Sequence, residues 1–147
     1  MTPGALRTYL HDHIPLSRAM AVEVVEASAT HVLLEAPLAP NINMHGTMFG
    51  GSSATLALLA AWSVMHLKLE AERIASQLVI HRTAMEYLLP VTGLAQASAH
   101  LDEVGWPNFL QTFHRRGRAR LTIASELLFE GNIAGRITGE FVAISEA

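Results

Sequence analysis

Alternating hydrophobic and polar residues dominate the chain and predict β-strands in three consecutive pairs. In the last pair, Leu121, Ile123 and Leu127 fall on one face, whereas Arg120 and Glu126 fall on the other. Because short segments join the strands within a pair, we expect hairpins and an antiparallel sheet. The predicted strands span residues 19–27, 31–36, 77–89, 94–101, 119–129 and 133–144.

The longest segment without alternation predicts a central helix, roughly residues 48–69. Between Ala54 and Leu67 the apolar residues point in nearly every direction around the helix axis. A helix that is apolar all round must be buried all round. Shorter helices are expected at 6–13 and 107–117. The pattern therefore predicts an α+β fold in which an antiparallel sheet wraps the long helix.

The composition indicates a single domain, residues 1–147, with apolar surface to cover. Half of the residues are hydrophobic and the mean hydropathy is +0.29, so we expect part of the surface to be buried between copies of the chain. The chain contains no cysteine, which excludes disulfides, thiolate metal ligands and a cysteine nucleophile. A net charge of −3 gives no reason to expect nucleic acid as a partner.

Two further features favour a cytoplasmic protein. The apolar run 54–67 is interrupted by polar residues and is shorter than the ~20 residues that a membrane span needs. The first residues do not show the basic segment and apolar core of a signal peptide. We therefore expect neither membrane insertion nor secretion.

The segment NINMHGTMFGGSSATL, residues 41–56, places a polar loop and two glycines at the start of the central helix. The first amides of a helix have no partners within it, and the helix dipole adds partial positive charge there. Gly50 and Gly51 carry no side chain that would keep a substrate carbonyl away from those amides, as an oxyanion hole requires. The alternative is that the two glycines only allow the helix to pack closely against the sheet.

At these residues the sequence resembles the hotdog-fold thioesterases. The pattern N-x-x-G-x-x-F-G-G, residues 43–51, is similar to the N-x-x-G-x-x-H-G-G signature of their phenylacetic-acid-pathway branch. The FGGS helix start, YLLP at 87–90 and RRGRARL at 115–121 resemble the YiiD C-terminal-type thioesterases more closely. Those domains occur alone or attached to bacterial GNAT acetyltransferases. The resemblance covers about residues 16–144 and implies a hotdog fold.

The resemblance also implies roles for single residues. Asn43 is expected to help hold the thioester or the attacking water, and the Gly50 amide is expected to face the thioester carbonyl. Phe49 stands where the family has a histidine, and Leu58 stands where it has the carboxylate of the helix. Because leucine cannot act as a base, another group has to take that role.

Candidates for this role lie near the predicted helix start. His45 belongs to the preceding loop, and a histidine can take a proton from water near neutral pH. The alternative is a loop histidine that only caps or fills. Thr47, Ser52, Ser53 and Thr55 cluster at the same end, where hydroxyl side chains commonly cap helices. One of these hydroxyls can instead orient a water, but no serine–histidine–acid triad is apparent.

A second group of candidates lies on the strand that leads to Tyr87. Strand alternation places His81 and Tyr87 on one face and Glu86 on the other. In hotdog dimers the corresponding strands meet across the two-fold axis. The resemblance therefore implies that a residue of a second copy can complete the site.

The remaining polar clusters carry weaker signals. The run from His114 to Arg120 holds four of the ten basic residues, and it is either a solvated helix end or a site for the phosphates of coenzyme A or an acidic acyl carrier protein. Of the eight histidines, only His11 and His13 are close together, so we expect no metal.

Together these features predict an acyl-CoA or acyl-carrier-protein thioesterase that needs no cofactor and works as a homodimer or a dimer of dimers. A module that binds acyl thioesters without hydrolysing them is the alternative favoured by Phe49 and Leu58, and a hydratase or dehydratase that uses His45 is a third. The expected catalytic residues are Asn43, His45, Gly50 and Gly51. The expected substrate-binding residues are Thr47, Phe49, Ser52, Thr55, Tyr87, Arg115, Arg116 and Arg118.

Overall fold

The structure is a computed structural model that describes residues 1–146, with a six-stranded antiparallel sheet and four α-helices. The helices are α1 (Pro3–His13), α2 (Pro15–Ala19), α3 (Gly50–Ala71) and α4 (Trp106–Arg116). The strands are β1 (Glu23–Ala27), β2 (His31–Ala36), β3 (Ser76–Tyr87), β4 (Ala95–His100), β5 (Arg118–Phe129) and β6 (Asn132–Ser145). This architecture confirms the predicted α+β class.

The order of strands in the sheet is β1-β2-β4-β5-β6-β3, so that β1 and β3 form its two edges. The hairpin between β5 and β6 turns at Glu130 and Gly131, whose φ angles of 50° and 79° suit a tight turn between twisted strands. Helix α3 connects β2 to β3 and contacts β4, β2 and β5 across the inner face of the sheet. The start of α3 therefore faces the end of β3, and the end of α3 faces the beginning of β3.

The sheet covers most of α3 but not all of it, which differs from the expected complete enclosure. Leu56, Ala60 and Val64 are fully buried against the strands. A narrow stripe on another side of the helix is only partly buried, with Ala54, Leu58 and Trp62 as its apolar members. Although α3 is apolar on all sides, the sheet of a single copy therefore encloses it only in part.

The region before β1 also differs from the prediction. Residues 19–22 were expected in the first strand, but Ala19 ends helix α2 and β1 begins only at Glu23. Pro15 occupies the first turn of α2, where a fixed φ and a missing amide are tolerated. Ala21 has a φ of 57°, so the chain turns sharply before it enters the sheet. Val22 fits the alternation of the strand residues that follow it, but it lies just before β1 and is fully buried there.

A β-bulge in β3 corrects the predicted orientation of His81. The register with β6 shifts between Ile80 and Arg82, and this shift interrupts the alternation of faces. The His81 ring lies 4.0 Å from the carboxylate of Glu140, whereas Tyr87 reaches the start of α3. His81 and Tyr87 therefore do not share a face, contrary to the simple count of residues.

None of the helices within residues 1–146 combines the length and the apolar character that crossing a membrane requires.

Candidate active site at the start of helix α3

Helix α3 begins with backbone amides that have no acceptor. Phe49 is the N-cap, and its side chain makes no capping hydrogen bond. Its carbonyl accepts the amide of Ser53 at 3.0 Å, which is the first bond of the helix. Within the part of the chain that the structure describes, the amides of Gly50, Gly51 and Ser52 meet no hydrogen-bond acceptor. These donors and the helix dipole together favour a negatively charged oxygen at this position.

Tyr87, from the end of β3, lies directly against Gly50. Its hydroxyl donates a hydrogen bond of 2.8 Å to the Gly50 carbonyl. A Cβ atom at Gly50 would lie 3.4 Å from the Tyr87 ring, and one at Gly51 would overlap the ring of Phe49. The structure thus brings together three residues that the sequence motif predicted for the site. A side chain at Gly51 would clash with the Phe49 ring, whereas a Cβ atom at Gly50 would be in ordinary contact with the Tyr87 ring.

The loop before α3 is held closed by Asn43. Its Oδ1 accepts the amides of His45 and Thr47 at 2.8 Å and 3.2 Å, and its Nδ2 donates to the Thr47 hydroxyl at 2.9 Å. Gly46, with a φ of 79°, supplies the turn between them. The Asn43 amide group is therefore engaged within its own loop, where it positions the helix start and makes no contact at the free amides.

A cavity of about 400 Å³ opens beside Gly50. Most of its walls are apolar, and the segment Tyr87–Val91 forms one side of it. The amides of Leu88 and Leu89 both donate to the carbonyl of Ala134, and the carbonyl of Val91 accepts the amide of Met48. This wall is therefore tied to β6 on one side and to the loop before α3 on the other. The lining residues are Met48, Gly50, Ser53, Tyr87, Leu88, Leu89, Pro90, Val91 and Leu127.

Sequence reasoning named Ser53 among the hydroxyls at the helix start but selected Ser52 and Thr55 for substrate binding, and it did not indicate Leu127. Ser53 is 3% exposed and lies one helical turn after Gly50, so it faces the cavity, whereas Ser52 and Thr55 are not among the lining residues. The helical spacing from Gly50 was the signal that would have selected Ser53. Leu127 comes from β5 and had no local signal, because only the folded sheet places it near α3.

The other predicted site residues lie outside this cavity. His45 is exposed, and its ring makes no hydrogen bond to any residue in the range 1–146. Phe49 is 57% exposed and covers Gly51, and Leu58 is half-buried farther along α3. No histidine or carboxylate within the described chain lines the cavity. A single copy thus supplies oxyanion donors and an apolar wall, but no base at the same place.

The arginine cluster lies at the other end of the molecule. Arg118 pairs with Ile144, which in turn pairs with Gln77 at the beginning of β3. Because α3 has 22 residues, it separates this end from Gly50 by about 33 Å. Arg116, Arg118 and Arg120 line a separate cleft of about 210 Å³ there. The arginines therefore do not belong to the Gly50 site of the same copy.

One arrangement that resembles a catalytic triad occurs on the outer face of the sheet. His31 Nε2 lies 2.9 Å from the hydroxyl of Ser98, and His31 Nδ1 lies 2.8 Å from the carboxylate of Glu26. The ring of His100 stacks on that of His31 at 4.2 Å. Ser98 belongs to β4, whose position between β2 and β5 engages its backbone amides in the sheet. The chain Ser98–His31–Glu26 therefore lacks the amide donors that an acyl-transfer site needs. No cluster of metal-binding side chains was found in residues 1–146.

Comparisons with known proteins identify a family and a fold for the chain. A family model described as "Putative thioesterase (yiiD_Cterm)" matches residues 4–145. A protein of unknown function from Chlorobaculum tepidum is 31% identical, with a TM-score of 0.91 and coverage of 99% of this chain and 98% of that one. A putative thioesterase from Shewanella oneidensis is 27% identical, with a TM-score of 0.85 and coverage of 97% and 96%.

More distant structures share the fold alone. A thioesterase from Haemophilus influenzae is 16% identical, with a TM-score of 0.78 and coverage of 99% of this chain and 92% of that one. The family model matches nearly the whole chain, including the start of α3 and all six strands of the sheet. The chain belongs to the YiiD C-terminal family of putative thioesterases and has the hotdog fold.

Proposed function

We propose that the protein hydrolyses acyl thioesters of coenzyme A or of an acyl carrier protein, with the thioester carbonyl bound at the start of α3. One observation carries this proposal: Gly50, the first of three residues at the start of α3 whose amides have no acceptor, lines a cavity of about 400 Å³ with mostly apolar walls. The cavity volume is within the range of small-ligand sites. Membership of a thioesterase family supports the reaction class.

In this mechanism the acyl chain lies against Leu88, Leu89 and Leu127, and the carbonyl oxygen points at the Gly50 amide. Water attacks the carbonyl carbon, and the oxygen becomes negatively charged in the tetrahedral intermediate. A donor of this kind typically lowers the barrier by about 3–4 kcal/mol. The intermediate then expels the thiolate, which takes up a proton, and a carboxylic acid remains.

The attacking water needs a base from outside the cavity, because no histidine or carboxylate in the described chain lines it. His45 is the candidate from the same copy, since it is exposed and belongs to the loop directly before α3. A polar group from a second copy is the other candidate. Neither candidate lines the cavity of a single copy, so each would have to approach the attacking water from outside it.

A second copy is expected along the edge strand β3. This strand pairs only with β6 within residues 1–146, and its other edge is open. Apolar side chains of β3 and the segment that follows it are exposed, among them Val79, Ile80, Leu88 and Leu89. An open, apolar edge strand is a template for pairing with another strand. We therefore propose a homodimer that joins two sheets through their β3 strands, as such or as half of a tetramer.

Antiparallel pairing of two β3 strands also gives the arginine cluster a role. In that arrangement the beginning of one β3 lies beside the end of the other. The cluster of one copy, with Arg115, Arg116 and Arg118, then comes toward the Gly50 site of its partner. Guanidinium groups bind phosphates through paired hydrogen bonds, so this cluster would hold the phosphates of the carrier.

The test is a panel of acyl-CoA thioesters from acetyl to palmitoyl, with free thiol measured by a disulfide dye. The protein has no cysteine, so it adds no thiol background. We expect release above the rate of the Gly50→Val protein, with a preference for one range of chain lengths. Absence of release for every thioester, with intact folding, would contradict the proposal.

A binding module without turnover is the second candidate, and the composition of the cavity favours it. The lining has no histidine or carboxylate among the residues that the structure describes. Calorimetric titration with a non-hydrolysable acyl-CoA analogue separates the two candidates. Binding without turnover selects the module, whereas binding together with thiol release selects the hydrolase.

A further inference from the structure

We propose that Ser53 selects acyl thioesters that carry a hydroxyl group on the third carbon of the acyl chain, counted from the carbonyl carbon. The inference rests on the proposed function, because it concerns the cavity beside Gly50 and requires the thioester carbonyl to lie at the start of α3. Ser53 lines this cavity and is 3% exposed. Its hydroxyl has no part in the hydrolysis described above.

The residues that line the cavity fall into two sets by exposure. One set, at the end of β3 and directly after it, is exposed and forms the rim. The other set is at most 6% exposed and forms the floor. The carrier of the thioester stays in solvent, so the acyl chain passes the rim and points to the floor. The rim residues are Tyr87, Leu88, Leu89 and Pro90, and the floor residues are Met48, Ser53, Val91 and Leu127.

The hydroxyl of Ser53 is the one polar side-chain group on this floor. It makes no hydrogen bond to any residue in the described range 1–146. The hydroxyl oxygens of Ser63 and Ser125 have no partner either, but they are completely buried. The Ser53 oxygen is not closed off in this way, because Ser53 lines the cavity. An unpaired hydroxyl in so dry a place is costly, so a polar group on the substrate would stabilise the complex.

The spacing on α3 determines which carbon of the acyl chain lies beside Ser53. Ser53 follows Gly50 by three residues, so it lies about 4.5 Å farther along the axis on nearly the same side of the helix. Three bonds of about 1.5 Å each lead from the carbonyl carbon to an oxygen on the third carbon. Because the two spans are comparable, this oxygen can form a hydrogen bond with Ser53 while the carbonyl stays at the Gly50 amide.

This hydrogen bond would discriminate between hydroxylated and plain acyl chains. A plain chain covers the Ser53 hydroxyl with methylene groups and leaves it without a partner, whereas a 3-hydroxyacyl chain supplies one. Two hydroxyl groups can pair in either direction, because each is a donor and an acceptor. Sites that hold a hydrogen-bonding group for a substrate hydroxyl reject the analogue that lacks it. The apolar neighbours on the floor disfavour a charged substituent at the same carbon.

Matched pairs of CoA thioesters test this selection. The pairs are 3-hydroxybutanoyl with butanoyl, 3-hydroxyoctanoyl with octanoyl, and 3-hydroxydodecanoyl with dodecanoyl. In the pair whose length fits the cavity best, we expect kcat/KM for thiol release to be roughly tenfold higher, or more, for the hydroxylated member. Equal values within every pair, or higher values for the plain chains, would overturn the proposal.

Ser53→Ala removes the hydroxyl and places a good helix former in α3. We expect the ratio of the two kcat/KM values to fall at least fivefold, while the plain thioester is still hydrolysed. Ser63→Ala is the matched control, because it makes the same change in the same helix at a buried, unpaired hydroxyl outside the cavity. It should leave the ratio unchanged.

Two results with folded Ser53→Ala protein would contradict the assignment. An unchanged ratio would show that Ser53 does not recognise the hydroxylated chain. Loss of turnover with both members of a pair would place the hydroxyl in the chemical step instead of in selection.

Binding measurements separate a failure of this selection from a failure of the proposed hydrolysis. Calorimetric titration uses analogues of one pair in which a methylene group stands between the sulfur and the carbonyl carbon, so that they cannot be hydrolysed. Tighter binding of the hydroxylated analogue, lost in Ser53→Ala, would support the selection even in a protein that releases no thiol. Equal Kd values for the two analogues, or no binding of either, would overturn it.

Discussion

At the scale of single residues, Gly50 is the position where a side chain would obstruct the candidate active site most directly. A Cβ atom there would be in contact with the Tyr87 ring at 3.4 Å, and because Gly50 lines the cavity, we expect the branches of valine to occupy part of the space that the thioester carbonyl needs. We expect Gly50→Val to lower kcat for acyl-CoA hydrolysis by about 100-fold or more, since one oxyanion donor is typically worth that much.

Gly4→Val is the control for Gly50→Val, because Gly4 also lies at a helix start and a Cβ atom there meets nothing within 4 Å. It should hydrolyse thioesters at the rate of the unmodified protein. If folded Gly50→Val protein retained full activity, the oxyanion assignment would be wrong.

The Tyr87 hydroxyl offers a second, milder change at the same place. Its hydrogen bond to the Gly50 carbonyl polarises the peptide unit whose other end is the Gly51 amide. Tyr87→Phe keeps the ring against Gly50 but removes this polarisation. We expect kcat to fall about three- to tenfold while KM changes little, as steady-state kinetics would show. A larger change in KM than in kcat would instead assign the hydroxyl to substrate binding.

Single residues also show where the sequence was informative and where it was not. Gly50 and Gly51 were predicted from a local motif, because they start a helix, and Tyr87 was predicted from the resemblance of the YLLP segment at the end of a strand. The role of Asn43 was predicted from resemblance, and its bonds to Thr47 and His45 depend on a loop conformation that no local pattern specifies. Whether Asn43 also contacts substrate stays a prediction.

At the scale of elements, the loop before α3 depends on Asn43 for its shape. Asn43→Ala removes three hydrogen bonds of the loop, each worth about 1 kcal/mol. We expect the free energy of unfolding to fall by about 1–3 kcal/mol in urea denaturation, with a loss of activity. Asn43→Asp keeps an oxygen that accepts the two amides, so it should recover most of the stability. Equal losses in both variants would contradict this role.

Helix α3 carries a pH dependence through His66. Burial lowers the pKa of this ring below its usual value of 6.5, and the Glu70 carboxylate opposes the shift in part. The unfolded chain therefore binds the proton at a higher pH than the folded chain does. Stability from neutral His66 is fully present above pH 6.5 and is lost as the pH falls toward the lowered value.

We accordingly expect the free energy of unfolding to fall more steeply between pH 7 and pH 5 in the unmodified protein than in His66→Gln. Urea denaturation at several pH values gives both slopes, and subtraction removes the contribution of the other histidines. Parallel slopes would show that burial of His66 has no effect on its titration.

Elements with a clear period were predicted best. Helix α4 ends where expected, at Gly117 with a φ of 73°, and β2, β4 and β5 agree with the prediction within about a residue at each end. The failures have local causes. The short helix α2 depends on Pro15 and on the turn at Ala21, and the bulge near His81 depends on packing of β3 against β6. Neither cause is visible as a period of hydrophobic residues.

At the scale of the whole molecule, the open edge of β3 predicts the state of assembly. Val79 is 44% exposed near the beginning of this strand. We expect Val79→Lys to convert a dimer into a monomer, because a buried charge at the proposed junction is costly. Light scattering after size-exclusion chromatography measures the mass directly. Val104→Lys is the control, since Val104 is 86% exposed and lies in the turn between β4 and α4, outside the edge strand.

If the unmodified protein is monomeric at all concentrations, the proposed pairing of β3 strands is wrong. In that case the arginine cluster, about 33 Å from Gly50 of the same copy, has no part in the thioester site. The base for water would then have to come from the same chain, which leaves His45.

The hydrogen bond from Tyr87 to Gly50 has a consequence for how the protein behaves in dilute solution. It fastens the end of the edge strand to the first carbonyl of α3, so a disturbance of that edge reaches the oxyanion donors through one peptide unit. If copies meet along β3, the rate per molecule depends on how many molecules are paired. The specific activity of such a protein falls as its concentration falls below the dissociation constant of the dimer. Synthesis of more chain would then raise total activity more than proportionally.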